Sequence, residues 1–208
     1  MADQKLMPSF HLTFHYQISN RSIPTEIGAW TALTSRFSLR GNSFTGTLPT
    51  EIGMLSKVKF TFDIAQNSIN GSLPTEIGKI SLLTSGLHLY SNQLAGQLPS
   101  EIGAMTGLRS WVLLNKNSFS GNLPSELGLW SSMTLKFHIG QNSFTGSIPS
   151  ELGQFTGLTA GFQINSNSFD GNIPRSVFRL LFDDSTICEV IINCQILKRS
   201  SIWVAKLG

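Results

Sequence analysis

Prolines recur through this 208-residue chain at a fixed step of 25 residues. The series is Pro24, Pro49, Pro74, Pro99, Pro124, Pro149 and Pro174. Asparagines keep the same step, at Asn42, Asn67, Asn92, Asn117, Asn142 and Asn167. Two glycine series, from Gly28 to Gly153 and from Gly46 to Gly171, follow it as well. A fixed period of about 20 to 50 residues indicates a solenoid, whose repeated units stack to bury one continuous core.

Each copy of the repeat divides into a strand, a turn and a short helical segment. Phe37, Ser38 and Leu39 alternate apolar and polar side chains, as in a half-buried strand. This phase predicts parallel strands over 37–39, 62–64, 87–89, 112–114, 137–139 and 162–164. The asparagine that follows each strand is expected to form hydrogen bonds with buried backbone groups, so that its copies stack as a ladder. Gly46 and its copies suit a turn of positive φ.

The short helical segment is predicted where proline is followed by Thr or Ser and then Glu. The fixed φ of proline suits a helix start, and a carboxylate near that start is favoured by the helix dipole. The glutamates form one row, which repeat phasing places on the outer face: Glu26, Glu51, Glu76, Glu101, Glu126 and Glu151.

Together these residues spell the pattern L-x-L-x-x-N-x-F-x-G-x-[LI]-P-[ST]-E-[IL]-G, which resembles the plant-type leucine-rich repeat. The resemblance covers roughly residues 12–180 and extends to the ectodomains of receptor-like kinases and to polygalacturonase-inhibiting proteins. It implies an α/β solenoid, a right-handed coil with a short parallel β-sheet on its concave face and turns or short 3₁₀ helices on its convex face.

One residue sets these repeats apart from the usual plant type, because three residues instead of two separate Leu33 from the strand. In this respect the chain resembles diatom leucine-rich repeat proteins. The additional residue predicts a bulge just before each strand.

The same phase divides the chain into an N-terminal cap with a degraded repeat (1–24), six repeats (25–174) and a C-terminal cap with a tail (175–208). In the degraded copy, Leu12 aligns with Phe37. Cys188 and Cys194, the only cysteines, both belong to the C-terminal cap. Plant-type arrays often end in a paired-cysteine cap, so the two residues form either a disulfide or two buried thiols. Zinc is not expected, because two further ligands are lacking nearby.

Composition bears on the compartment and on the partner class. Charged residues make up 13% of the chain and the net charge is +3, a balance too mild to indicate nucleic acid. The first residues lack the apolar run of a secretory signal, and no stretch is long enough to span a membrane. These features favour an intracellular monomer, unless the chain is part of a longer receptor-like protein; its relatives are often extracellular or membrane-attached.

Catalysis is not expected. The chain contains no phosphate-binding loop, no histidine cluster with metal spacing and no nucleophile elbow. The glutamate row lies along one face and not around a pocket. We therefore predict a non-enzymatic protein that requires no cofactor or metal.

The variable positions of the strands are the candidates for binding, because solenoids usually bind through their concave sheet. Exposed Trp and Tyr beside Arg are typical of interface anchors, although scattered surface aromatics also arise without function. The candidate ligand-binding residues are Arg36, Arg40, Asp63, His88, Tyr90, Trp111, Leu113, Lys136, His138 and Gln163. Their basic character predicts a protein ligand or an acidic glycan.

The alternative is an ice-binding solenoid, an activity found in some plant leucine-rich proteins that the chain resembles. A ladder of small hydroxyl side chains would supply the flat surface: Thr25, Thr50, Thr75, Ser100, Ser125 and Ser150. The adjacent glutamates place charge beside this ladder and count against the alternative.

Overall fold

The computed structural model describes residues 11–13, 19–182 and 190–191, and the side chains between 21 and 180. Cys188, Cys194 and the basic tail lie outside the described residues. The strands are β1 His11–Thr13, β2 Ser19–Ser22, β3 Arg36–Ser38, β4 Ser43–Thr47, β5 Thr61–Asp63, β6 Ser68–Ser72, β7 Gly86–His88, β8 Gln93–Gly96, β9 Ser110–Leu113, β10 Ser118–Gly121, β11 Leu135–His138, β12 Ser143–Gly146, β13 Ala160–Gln163, β14 Ser168–Phe169 and β15 Val190–Ile191.

An eight-stranded parallel sheet runs the length of the coil in the order β1-β3-β5-β7-β9-β11-β13-β15. Residues 25 apart lie opposite each other within it, as Phe37 does to Phe62. The predicted strands are confirmed, and each begins one or two residues earlier than the alternation indicated. Leu12 pairs with Phe37 and Val190 with Phe162, so degraded sequence at both ends still adds a strand.

A second parallel sheet of seven strands, in the order β14-β12-β10-β8-β6-β4-β2, follows the asparagine positions. The sequence analysis did not predict it. Its signal is the alternation Ser43-Phe44-Thr45, in which only Phe44 is buried. A single buried residue in a turn-like stretch gives too weak a period to distinguish a strand from a loop.

The predicted helical segments are five-residue 3₁₀ helices, each directly after a repeat proline. They span Thr25–Ala29, Thr50–Met54, Thr75–Lys79, Ser100–Ala104, Ser125–Leu129 and Ser150–Gln154. In each helix the proline carbonyl accepts the N–H three residues later, as Pro49 does from Ile52 at 3.1 Å.

The glycine in the fourth position of these helices lets successive coils approach closely. A Cβ at Gly103 would lie 2.6 Å from both the Cβ and the carbonyl oxygen of Glu126 in the next coil. After the last repeat, Phe178 replaces this glycine and the 3₁₀ helix becomes an α-helix, α1 (Arg175–Phe182). No repeat coil has to pack closely against this helix, and Phe178 is itself buried against the core.

The core is one apolar column inside the coil, with aromatic rings stacked from repeat to repeat. Phe119 stacks on Phe144 at 6.0 Å between ring centroids, and Phe144 stacks on Phe169 at 6.2 Å. On the other side, Phe37 stacks on Phe62 at 5.1 Å. Each ring packs against its own copy in the next coil, so the core is extended by repetition.

The repeat asparagines tie each coil to the one before it. The Asn117 side-chain amide donates to the carbonyls of Leu89 (3.0 Å) and Leu114 (3.1 Å), and its Oδ1 accepts the Leu94 N–H at 3.0 Å. Asn67, Asn92, Asn142 and Asn167 repeat this arrangement, each reaching an N–H 23 residues earlier. The side chain thus satisfies the backbone where the chain leaves the first sheet.

The prediction of a bulge before each strand is wrong. Paired strands keep equal residue numbers: Leu135 lies opposite Ser110, and Phe137 lies opposite Val112. The additional residue is absorbed differently in the last three repeats, where the residue between these pairs adopts a left-handed conformation. Its φ is 58° at Trp111, 51° at Lys136 and 73° at Gly161.

Candidate functional site

Asp63 and His88 form the floor of the concave sheet. Asp63 is buried at 6% exposure, and one carboxylate oxygen accepts the Ala65 N–H at 3.0 Å. The other lies 3.1 Å from His88 Nδ1. Asp63 was predicted as an outward ligand contact, and that position is wrong. A carboxylate with both oxygens engaged inside the sheet positions the imidazole and is not free to contact a ligand.

Arg40 and Tyr90 form a second group at the far ends of the strands. The Arg40 guanidinium carbon lies 5.5 Å from the centroid of the Tyr90 ring, and its Nε donates to Gln66 Oε1 at 3.0 Å. Burial raises the pKa of the Tyr90 hydroxyl above its ordinary value, the Arg40 charge lowers it, and Asp63 adds a smaller upward contribution. Two partners hold the exposed Arg40 side chain, so less conformational entropy is lost when it binds an anion.

Trp111 and Lys136 make a cation–π contact at the near ends of the strands. Lys136 Nζ lies 4.3 Å from the centroid of the Trp111 ring, which is 40% exposed. Both residues have left-handed backbones, a conformation that costs a bulky side chain about 1–2 kcal/mol. Strain of this kind often marks functional positions, since the surrounding structure must hold it.

These groups border a shallow hollow of about 550 Å³ in the concave face. Five predicted residues line it, namely Arg36, Arg40, Asp63, His88 and Trp111. Of the other predicted residues, Tyr90 contacts Arg40 and Lys136 contacts Trp111. Leu113, His138 and Gln163 lie on β9, β11 and β13, outside the hollow.

Two exposed apolar residues beside the hollow were missed by the sequence analysis. Phe60 is 47% exposed and Leu135 is 36% exposed, and both occupy the same repeat position as Ser35, which is buried. The signal available was their departure from that column, where the other copies are Ser or Ala. We call the hollow with Phe60, Trp111 and Leu135 at its edge the concave site.

Charge is divided between the two faces. Arg36, Arg40 and Lys136 project from the first sheet, whereas the glutamate row lies on the 3₁₀ helices of the opposite face. Beside each of these glutamates, the preceding Thr or Ser hydroxyl lies 3.2–3.5 Å from the carboxylate. The hydroxyl ladder considered for ice binding is thus hydrogen-bonded to charged groups.

The left-handed backbone at Trp111 predicts an inverted order of stability between two substitutions. Glycine adopts this conformation without strain and alanine does not, so Trp111→Gly should be more stable than Trp111→Ala by about 1 kcal/mol. Thr61 occupies the same column and is not left-handed, so there alanine should be more stable than glycine. Urea denaturation of the four variants tests this, and the same order at both positions would contradict it.

Within residues 11–13, 19–182 and 190–191, no group of three or more His, Cys, Asp or Glu side chains is placed to hold a metal ion. No helix in those ranges is long and apolar enough to cross a membrane.

Solved structures of plant receptors are similar to this chain. The plant peptide hormone receptor RGFR1, in complex with RGF2, is 32% identical with a TM-score of 0.72, over 84% of this chain and 27% of that one. The ectodomain of the Arabidopsis thaliana receptor kinase GASSHO1/SCHENGEN3, in complex with CASPARIAN STRIP INTEGRITY FACTOR 2, is 30% identical with a TM-score of 0.74, over 85% and 21%. The Arabidopsis receptor kinase HAESA, with the peptide hormone IDA and co-receptor SERK1, is 25% identical with a TM-score of 0.57, over 86% and 33%.

This chain therefore spans between a fifth and a third of the length of those receptors. No family model and no curated protein sequence matches it. Its 25-residue period, its parallel sheets and its similarity to these ectodomains place the chain among the leucine-rich repeat proteins.

Proposed function

We propose that this protein is a non-catalytic recognition module that binds a protein ligand, in extended peptide form, on the concave site. The observation that carries the proposal is the strained pair of Trp111 and Lys136 at the edge of a hollow in the sheet. Large aromatic side chains on a rigid sheet lose little entropy on binding and commonly dominate the affinity. The receptors it resembles are described with bound peptides, which supports the same ligand class here.

The ligand is acidic. Arg36 and Arg40 are exposed, and the one carboxylate that lines the hollow is already bonded to His88 and Ala65. An anionic ligand would find uncompensated positive charge on this face and the glutamate row on the opposite one. The complementary potential favours binding of acidic partners in one orientation.

Selection of displayed random peptides on the immobilised protein tests the proposal. Enriched peptides should bind the wild type, and the double variant Tyr90→Ala/Trp111→Gly should bind them at least about 30-fold more weakly, since one anchor is commonly worth about 2 kcal/mol. Affinity should fall as salt is raised from low to high concentration. An acidic polysaccharide, titrated in parallel, distinguishes a glycan ligand.

Leu129→Ala is the matched control, because Leu129 is 55% exposed and lies in a 3₁₀ helix of the opposite face. It should leave the affinity unchanged. Equal binding by the double variant and the wild type would place the site elsewhere and contradict the proposal.

A further inference from the structure

The hollow is a trough that follows the solenoid axis. Arg36, Thr61, Gly86 and Trp111 line it, and they are copies of one repeat position in four consecutive coils. Neighbouring parallel strands lie about 4.8 Å apart, so the trough extends about 14 Å from Arg36 to Trp111. Its direction is therefore perpendicular to the strands.

Small side chains make the middle of the trough deep. Gly86 is buried, and a Cβ added there would lie 2.7 Å from Nε2 of His88. The imidazole occupies the space that a side chain at residue 86 would take, and the bond to Asp63 fixes its position. The floor is preorganised, so a ligand side chain can enter without moving it.

The two ends of the trough differ in chemistry. At one end Arg36 is exposed, and its side chain has no ion pair or hydrogen bond with the described residues. Arg40 lies on the same coil and is oriented by Gln66 and Tyr90. At the other end the Trp111 ring forms an apolar wall, and exposed Leu135 lies in the coil beyond it. The trough thus offers an anion site and an apolar site about 14 Å apart.

From this geometry, and resting on the proposed function, we infer that the ligand is an extended peptide with an acidic side chain at position i and a large apolar side chain at position i+4. An extended chain rises about 3.3 Å per residue, so four residues cover about 13 Å. Side chains alternate between the two faces of a strand, so i+4 returns to the face of i whereas i+3 and i+5 point away. Position i+2 shares the face but reaches only half of the distance.

Five synthetic peptides of identical composition test this inference. Each carries one Glu and one Trp in a Ser/Thr host, with Trp at positions +2, +3, +4, +5 or +6, and binding to the intact protein is measured by fluorescence anisotropy. The +4 peptide should bind at least 10-fold more tightly than the +3 and +5 peptides. Replacing its Glu with Gln should remove most of this advantage.

Variants locate the effect in the trough. Thr61→Trp should fill it and reduce +4 binding at least 10-fold without unfolding the chain, because the same column already carries Trp111. Asn165→Trp, on the concave face two coils beyond Trp111, is the control and should leave the affinity unchanged. Arg36→Glu should weaken the +4 Glu peptide and favour the Lys analogue.

The outcomes separate this inference from the proposed function. If display-selected peptides bind and need Trp111, but the five spacings bind equally or not at all, the i and i+4 pattern is overturned and the proposed function stands. If no peptide requires Trp111, both are overturned.

Discussion

Replacing Asn117 with alanine is expected to lower the free energy of unfolding by about 4 kcal/mol. The Leu94 N–H loses its acceptor, and the carbonyls of Leu89 and Leu114 lose a donor. Each buried backbone group left unpaired costs about 1–3 kcal/mol. Two of the three groups belong to the preceding coil, so the substitution weakens the contact between coils as well as the turn itself.

Urea denaturation measures the loss, and amide hydrogen exchange at Leu94 should show where the structure opens. Asn122→Ala is the matched control, because Asn122 lies in the same coil, is exposed, and has no side-chain hydrogen bond within the described part of the chain. It should change stability by less than about 0.5 kcal/mol. Similar midpoints for the two variants would show that the ladder contributes little.

A Gly103→Val substitution should cost about 3 kcal/mol or more. The new Cβ would meet backbone and side-chain atoms of Glu126 at 2.6 Å, a distance that forces the fourth and fifth coils apart. Overpacking of this kind commonly costs about 1–3 kcal/mol, and the contact here is with backbone, which cannot rotate away. Because each coil contacts only its neighbours, the damage should appear as unfolding in two stages.

Gly41→Ser is the control for glycine removal in general. Gly41 has a φ of 69°, and an added Cβ would meet nothing within 4 Å. Its copies in two other coils are Ser91 and Ser166, which adopt the same left-handed conformation. Serine should therefore cost much less there than valine does at residue 103. Equal losses at the two positions would mean that the close approach of the coils is not what requires glycine.

The concave site was only partly predictable. The period places Tyr90 and Trp111 on the concave face, because every copy of a repeat position faces the same way. It also placed Asp63 outward with its column, whereas the structure buries it under a hydrogen bond to His88. Periodicity assigns a face to a position, but exposure depends on which neighbours the adjacent coils supply. Phe60 was missed for the same reason, since its column is polar in most copies.

By itself the sequence determined the coil. A strict 25-residue phase of Phe37, Asn42 and Pro49 leaves one arrangement in which every copy buries its apolar residues against the next. Only the tertiary structure decided the second sheet and the left-handed backbone at Trp111, because both depend on how neighbouring coils pair. The trough likewise exists because Thr61, Gly86 and Trp111, 25 residues apart in the chain, become neighbours when the coils stack. Local alternation carries no information about a contact that distant until the fold brings the residues together.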